Sequence, residues 1–137
     1  LCVAQRYLAA VFPRLKIFRF REFSKFSEVG EEFQGSRICF FLPHQMELLP
    51  PKLFDVFVTI STLPEMRKDQ IANYFALADK LCRGYFYSKQ WWHHTNQKDG
   101  FTMNFIDYPV PSHWQTVLLR PVPDKPDFFE AAYRVPS

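Results

Sequence analysis

The hydrophobic pattern from Phe54 to Trp92 predicts a strand, a helix and a second strand. Residues Phe54 to Ile60 are almost continuously apolar, which is typical of a strand buried on both faces of a parallel sheet. Apolar positions at three- and four-residue spacing from Arg67 to Cys82 predict an amphipathic helix, which Gly84 is expected to end. A strand from Tyr85 to Ser88 then completes a βαβ unit.

The pattern before this unit predicts one helix and two strands. Residues 1–12 carry apolar side chains at helical spacing, and Pro13 stops the pattern. The segment from Leu15 to Phe20 alternates apolar and basic residues, as in a strand with one wetter face, and Arg37 to Leu42 reads as a buried strand. Between them, Ser24 to Gln34 is expected to form a short polar helix or a loop.

The pattern after Trp92 predicts a loop and a hairpin. Residues 93–104 are polar and are expected to form a loop that reaches over a site. Strands are predicted for Trp114 to Arg120 and Phe128 to Val135, and their short proline-rich link requires them to be antiparallel. The chain is therefore predicted to be α/β, with a mostly parallel sheet that ends in an antiparallel hairpin.

Composition narrows the class of protein. The net charge of +3 is spread along 137 residues without a lysine or arginine cluster, so we expect no nucleic-acid partner. Three cysteines, Cys2, Cys39 and Cys82, lie far apart in apolar runs and read as reduced core residues of a cytoplasmic protein. No apolar run approaches the roughly 20 residues of a membrane span. The sequence does not specify an oligomeric state.

Several segments resemble the later part of the sugar O-methyltransferases, a family of class I S-adenosylmethionine-dependent enzymes. These segments are AQRYLAAVFP, FFLPHQMELLP, FDVFVTIS with TLPEM, QIANYF, GYFYSKQW, and YPVPSHW with FFEAAYRV. The resemblance covers nearly the whole chain. It implies a Rossmann-like sheet with the strand order 3-2-1-4-5-7-6, in which Phe54–Ile60 is the fourth strand.

The family's glycine-rich loop has no counterpart in this sequence, because the four glycines at positions 30, 35, 84 and 100 lie far apart. The resemblance implies that this loop and the first two strands precede Leu1. We therefore expect residues 1–137 to form a single partial methyltransferase domain that is inactive in isolation. The loss would also leave one apolar edge of Phe54–Ile60 uncovered.

The resemblance implies two segments that contact the cofactor, S-adenosylmethionine. Pro43, His44 and Gln45 follow the predicted strand from Arg37 to Leu42 and are expected to meet the adenine. Ser61 and Thr62 follow the fourth strand and are expected to lie near the transferred methyl group. The alternatives are an ordinary loop for the first segment and a helix N-cap for the second.

Three residues are candidates for the base that a hydroxyl acceptor needs, since the oxygen loses its proton as it is methylated. Glu65 follows the fourth strand, where it could position a hydroxyl or accept its proton, or could simply favour a helix N-terminus. His93 and His94 follow the fifth strand, and histidine changes charge near neutral pH. Tandem histidines on a polar loop are more often only solvated.

Lys89, Gln90, Trp91 and Trp92 end the fifth strand and are candidates for substrate binding. Trp114 and Tyr87 could add to a flat aromatic surface for a sugar, although core packing is the commoner fate of large aromatics. We expect no metal site, because the carboxylates of Asp99 and Asp107 are isolated.

The function that the sequence favours is transfer of a methyl group from S-adenosylmethionine to a sugar or glycan hydroxyl. An alternative is a non-catalytic, methyltransferase-like module that binds a glycan or a protein through its aromatic loop. RNA methylation would keep the cofactor, but the mild charge disfavours it.

Overall fold

The computed structural model describes residues 1–96 and 100–136. Contacts between Cα atoms divide the chain into two compact units, Leu1–Pro50 and Pro51–Ser137. Each unit has its own hydrophobic core.

The first unit is built from short elements. These are α1 (Cys2–Val11), β1 (Ile17–Phe18), a 3-10 turn (Phe26–Glu28), α2 (Gly30–Gln34), β2 (Ile38–Cys39) and α3 (Pro43–Met46). The helix predicted for residues 1–12 is confirmed, although none of its residues is buried. β1 and β2 form a parallel pair in which Phe18 lies opposite Cys39. Phe18 is fully buried, and its ring packs 5.3 Å from that of Phe41.

The second unit contains the predicted βαβ motif and the C-terminal hairpin. Its elements are β3 (Phe54–Ile60), a 3-10 turn (Leu63–Glu65), α4 (Lys68–Leu81), β4 (Cys82–Trp91), β5 (His93–Thr95), β6 (Thr102–Asn104), a 3-10 turn (Phe105–Asp107), β7 (Gln115–Val122) and β8 (Lys125–Arg134). The helix predicted between Arg67 and Cys82 is thus confirmed, with Arg67 as its N-cap.

Four strands of this unit form one sheet in the order β3-β4-β8-β7. β3 and β4 are parallel, while β8 is antiparallel to both of its neighbours. Three strands therefore run in one direction and β8 runs against them. This order and these directions match positions 4-5-7-6 of the sheet that the family resemblance implies, and β3 stands at the edge.

Helix α4 covers one face of the sheet. Ile71 and Phe75 of the helix are at most 3% exposed and share a core with Phe86 and Phe129 of the strands. The rings of Phe75 and Phe86 lie 5.1 Å apart. Burying such side chains contributes about 1.5–3 kcal/mol each, so this layer holds helix and sheet together.

The prediction that β3 is buried on both faces is wrong. We call the face of the sheet opposite α4 the open face. Val56, Val58 and Ile60 are 53%, 55% and 53% exposed, so the strand is not buried on both faces. Successive side chains of a strand point to opposite faces, and α4 packs only on the face that carries Phe57 and Thr59. A continuous apolar run alone does not show whether one face or both are covered.

Gly84 does not end the helix as predicted. The helix ends at Leu81 with Cys82 as its cap, and Gly84 lies inside β4. A Cβ atom on Gly84 would lie 2.3 Å from the carbonyl oxygen of Asp55. The pairing of β3 and β4 shifts register between Phe54 and Val56 at this point. Glycine is therefore needed here because the two backbones approach too closely for any side chain.

The polar segment after β4 is a hairpin where a loop was predicted. β5 and β6 are antiparallel, with His93 opposite Asn104 and His94 opposite Met103. The hydroxyl groups of Thr95 and Thr102 lie 2.9 Å apart across the pair. Asp99, named above with the metal candidates, lies outside the described residues.

The helices in the described part of the chain include none long and apolar enough to cross a membrane. The three cysteine thiols are free: Cys2 is exposed, Cys39 is half-buried and Cys82 is buried. Burial raises the pKa of the Cys39 thiol, and the nearby carboxylate of Glu32 adds to this shift.

Candidate active site

The carboxyl ends of β3 and β4 meet at one edge of the sheet and form the candidate site. The backbone N–H of Ser61 donates to the carbonyl of Lys89 at 2.9 Å, which extends the strand pairing by one residue. Ser61 then adopts a φ of 52°, a left-handed conformation that is unusual for a residue other than glycine. Backbone strain of this kind is concentrated at functional sites.

Beneath the turn that follows, a buried polar cluster ties the two strand ends together. The amide nitrogen of Gln90 lies 3.3 Å from both the carbonyl and the hydroxyl oxygen of Thr59, and 3.4 Å from the hydroxyl oxygen of Ser88. Gln90 is fully buried, so its side chain is not within reach of a substrate at the surface. Its observed contacts fix the separation of the strand ends.

Glu65 and His94 come together at the carboxyl ends of β3 and β4. Oε1 of Glu65, in the turn after β3, lies 3.7 Å from Nε2 of His94 on β5. At this distance the contact is an ion pair when the imidazole is protonated, rather than a hydrogen bond. The His94 side chain is 24% exposed and that of Glu65 is 65% exposed. The pair thus combines a shielded imidazole with a carboxylate that solvent reaches.

The two neighbouring histidines have different surroundings. Nδ1 of His93 lies 2.7 Å from the side-chain oxygen of Asn104. The amide group of Asn104 in turn donates to Asp107 at 3.0 Å. Hydrogen bonds from Asn104 hold the pKa of Asp107 below its ordinary value. His93 therefore supports the β5–β6 hairpin, and His94 is the histidine that meets Glu65.

An aromatic pair borders the Glu65–His94 pair. The rings of Trp91 and Phe128 lie 4.0 Å apart across β4 and β8, and the His94 ring is 6.2 Å from that of Trp91. Trp91 is half-buried and belongs to the open face. Trp114 is instead buried in the core, and the half-buried Trp92 packs against it. Core packing was the alternative to a sugar-binding surface for large aromatic residues.

A polar cluster on the open face surrounds Glu130, which lies two residues from Phe128 along β8. The hydroxyl of Tyr87 donates to Oε2 of Glu130 at 2.8 Å, and Nε of Arg120 donates to Oε1 at 2.6 Å. The hydrogen bond from Arg120, then that from Tyr87, and the charges of Arg120 and Lys89 lower the pKa of Glu130. Burial and the Glu130 carboxylate raise the pKa of Tyr87.

The sequence reasoning did not select Glu130, Arg120 or Phe128. The signal that could have found Glu130 is a single acid within the apolar run FFEAAY. Arg120 and Phe128 gave no such signal, because they become site residues only through the register of β7, β8 and β4.

The adenine candidates lie in the first unit. Pro43 opens α3, and Nε2 of His44 is 3.9 Å from a carboxylate oxygen of Glu22. Gln45 is 1% exposed, accepts from the backbone of Leu42 at 3.0 Å and donates to the carbonyl of Arg21 at 2.8 Å. Both ends of its amide are therefore engaged within the unit.

The described residues contain no group of three histidine, cysteine or acidic side chains that could hold a metal ion. A cavity of about 250 Å³ lies beside the turn after β3 and is lined in part by Thr59, Thr62 and Met66. Its volume is below the roughly 300–1,000 Å³ of ordinary small-molecule sites, so it does not enclose a whole nucleoside cofactor.

Comparison with known proteins gave similarities among solved structures alone. No protein-family model and no curated protein matches the sequence. Among solved structures, the chain is similar to a Sulfolobus solfataricus protein described as a type 11 methyltransferase. The TM-score is 0.49 and the sequence identity 11%, over 98% of this chain and 92% of that chain. A similarity at this level establishes neither a shared fold nor a shared activity.

Proposed function

We propose that the protein is an S-adenosylmethionine-dependent O-methyltransferase that acts on a sugar or glycan hydroxyl. The order β3-β4-β8-β7, with β8 reversed, supports this class because it is the arrangement that the family resemblance implies for these four strands. A sheet order by itself does not specify an activity, so the proposal depends on the residues at the carboxyl ends of β3 and β4.

The Glu65–His94 pair is the observation that carries the proposal. A hydroxyl that accepts a methyl group loses its proton during or after the attack, and a base within reach takes it up. The carboxylate of Glu65 lies 3.7 Å from Nε2 of His94, where it can orient the imidazole ring toward an acceptor hydroxyl. The pair therefore places two groups that can take up a proton, an imidazole and a carboxylate, next to each other.

The aromatic pair supports a sugar as the acceptor. The rings of Trp91 and Phe128 pack 4.0 Å apart and leave apolar ring surface near His94, whose ring lies 6.2 Å from that of Trp91. Such a surface packs against the C–H face of a sugar ring, while the ammonium group of Lys89 on the same face of the sheet can donate to sugar hydroxyls. Trp91 and Lys89 therefore remain the proposed substrate-binding residues. Gln90 is buried, and the half-buried Trp92 packs against Phe105 and Phe129 instead.

The fit to the cofactor is partial. Bound S-adenosylmethionine would supply a methyl group that is already activated for transfer. Ser61 and Thr62 offer hydroxyl oxygens at the crevice, although the Thr62 hydroxyl already donates to the carbonyl of Ile60 at 2.9 Å. The four glycines lie far apart and form no glycine-rich loop among the described residues. Pro43 and His44 remain candidates for the adenine.

Methyl-labelled S-adenosylmethionine tests the proposal directly. The full-length protein, with any residues that precede Leu1, is incubated with the labelled cofactor and a panel of mono- and oligosaccharides, and label in the sugar is measured. We expect Glu65→Gln and His94→Ala to lower kcat by about 10²–10⁴-fold, the usual contribution of a general base. His93→Ala is the matched control, because this neighbour contacts Asn104 and not Glu65.

Calorimetry separates the possible failures. The absence of both S-adenosylmethionine binding and label transfer would overturn the proposal. Sugar binding without cofactor binding would support the non-catalytic glycan-binding module instead. Transfer with unchanged kcat in both variants would keep the methyltransferase but remove the pair from its mechanism.

A further inference from the structure

A second cavity, of about 570 Å³, lies at the amino-terminal end of β4. The candidate active site is at the opposite end of this strand, where Lys89 receives the hydrogen bond from Ser61. The polar side chains that line the cavity each carry an N–H or O–H donor: Arg83, Tyr85, His113, Gln115 and Arg134. Gly84, Val135 and Pro136 complete the lining. No carboxyl group of the described residues lines it.

Strand register brings three of these donors into one row. Arg134 on β8 lies opposite Tyr85 on β4 and opposite Gln115 on β7. Directly paired residues of neighbouring antiparallel strands have Cβ atoms about 4.5–5.5 Å apart and point to the same face. The guanidinium of Arg134 therefore has a hydroxyl donor on one side and an amide donor on the other.

Two carboxylates orient the lining donors from outside the cavity. Nε of Arg83 donates to Oδ1 of Asp55 at 2.7 Å, and Nε2 of His113 lies 2.8 Å from Oδ1 of Asp79. The hydrogen bond and charge of Arg83 hold the pKa of Asp55 below its ordinary value. Because Asp55 uses Nε alone, the two terminal nitrogens of Arg83 stay available for a ligand.

The close approach at Gly84 helps to build this cavity. The register shift between Phe54 and Val56 inserts extra length into β4 at Arg83 and Gly84. Such irregularities re-aim neighbouring side chains. Arg83 thereby reaches Asp55 on β3 while Tyr85 keeps its place beside Arg134.

We propose that this cavity binds the phosphate group of a small metabolite, held between Arg83 and Arg134. Guanidinium groups recognise tetrahedral oxyanions through paired N–H donors, and the neighbouring hydroxyl and amide donors complete such a shell. The volume lies within the range of small-molecule sites. The site is independent of the proposed methyltransferase activity, since it shares no residue with the Glu65–His94 edge.

Titration of the protein with inorganic phosphate tests this site. We expect saturable binding by calorimetry, and at least about tenfold weaker binding in Arg134→Gln, because a charged hydrogen-bonding partner is lost. Arg67→Gln is the control, since it removes the same charge from an arginine that lies outside the cavity. Acetate in place of phosphate is expected to bind more weakly, because a planar carboxylate leaves part of the shell unfilled.

Phosphate binding of equal strength in the native protein and Arg134→Gln would overturn the proposal, as would no saturation at concentrations on the order of 10 mM. If Arg134→Gln does not fold, amide chemical shifts of the native protein decide the question. Shifts on phosphate addition must centre on Tyr85, Gln115 and Arg134, and shifts confined to other residues would equally reject the site.

Discussion

The indole N–H of Trp114 donates to Oδ1 of Asp79 at 2.7 Å, joining the core of the second unit to the last turns of α4. Trp114 is 6% exposed, so its N–H has little access to water. We expect Asp79→Ala to lower the free energy of unfolding by about 1–3 kcal/mol, because a buried donor loses its acceptor.

Urea denaturation measures this change. The control is Asp69→Ala, which removes a carboxylate from the exposed start of α4 where it pairs with Arg67. A loss in Asp79→Ala no larger than that in Asp69→Ala would show that the Trp114 contact adds nothing.

The same carboxyl group predicts an acid-dependent loss of stability. Burial raises the pKa of Asp79, but the hydrogen bonds from Trp114 and His113 and the nearby charges outweigh burial and lower it overall. A lowered folded-state pKa stabilises the protein above the unfolded-state pKa, and this contribution is lost as the pH falls through the folded-state value. The stability difference between the native protein and Asp79→Ala should therefore shrink below about pH 4. A difference that grows on acidification would contradict this sign.

Local sequence patterns predict some elements of this fold and not others. The helix from Lys68 to Leu81 was predicted to within a residue or two because its periodicity is local. The β7–β8 hairpin followed from a link too short for a crossover. The hairpin at His93 did not, because its strands are three residues long and polar. The Glu65–His94 contact depends on that hairpin, so only its members, and not their pairing, were predicted.

Gly84→Ala should destabilise the second unit. Its Cβ would lie 2.3 Å from the Asp55 carbonyl oxygen, and a backbone atom cannot move aside as a flexible side chain can. We expect a loss of about 1–3 kcal/mol or more in the free energy of unfolding. Gly30→Ala is the control, because its nearest neighbour, Phe26, would be 3.4 Å away. Equal effects of the two substitutions in thermal denaturation would rule out a special role for Gly84.

Paired substitutions distinguish the two faces of the sheet. Val56→Thr on the open face should change the free energy of unfolding by no more than about 0.5 kcal/mol. Phe86→Ala on the α4 face should cost about 3–5 kcal/mol, since this ring is 1% exposed. Denaturant titration of both variants tests the contrast. A loss of several kcal/mol in Val56→Thr would mean that another layer covers the open face.

The strained conformation of Ser61 predicts an unusual order of substitutions. In ordinary positions glycine is less stabilising than alanine, because it loses more conformational freedom on folding. At a φ of 52° alanine keeps the strain and glycine relieves it. We expect Ser61→Gly to be more stable than Ser61→Ala by about 1 kcal/mol. The reverse order in denaturant titrations would show that Ser61 relaxes to an ordinary conformation in solution.

The position of β3 at the edge of the sheet has a consequence for opening motions. β4 and β8 have a hydrogen-bonded strand on each side, whereas β3 has one only on the side of β4. Amide hydrogen exchange should therefore be slowest in β4 and β8, and β3 should show two alternating classes of amide according to the side each N–H faces. The strand that leads into the candidate active site is thus one of the two outer strands of this sheet, whose backbones can separate from it more easily than those of β4 and β8.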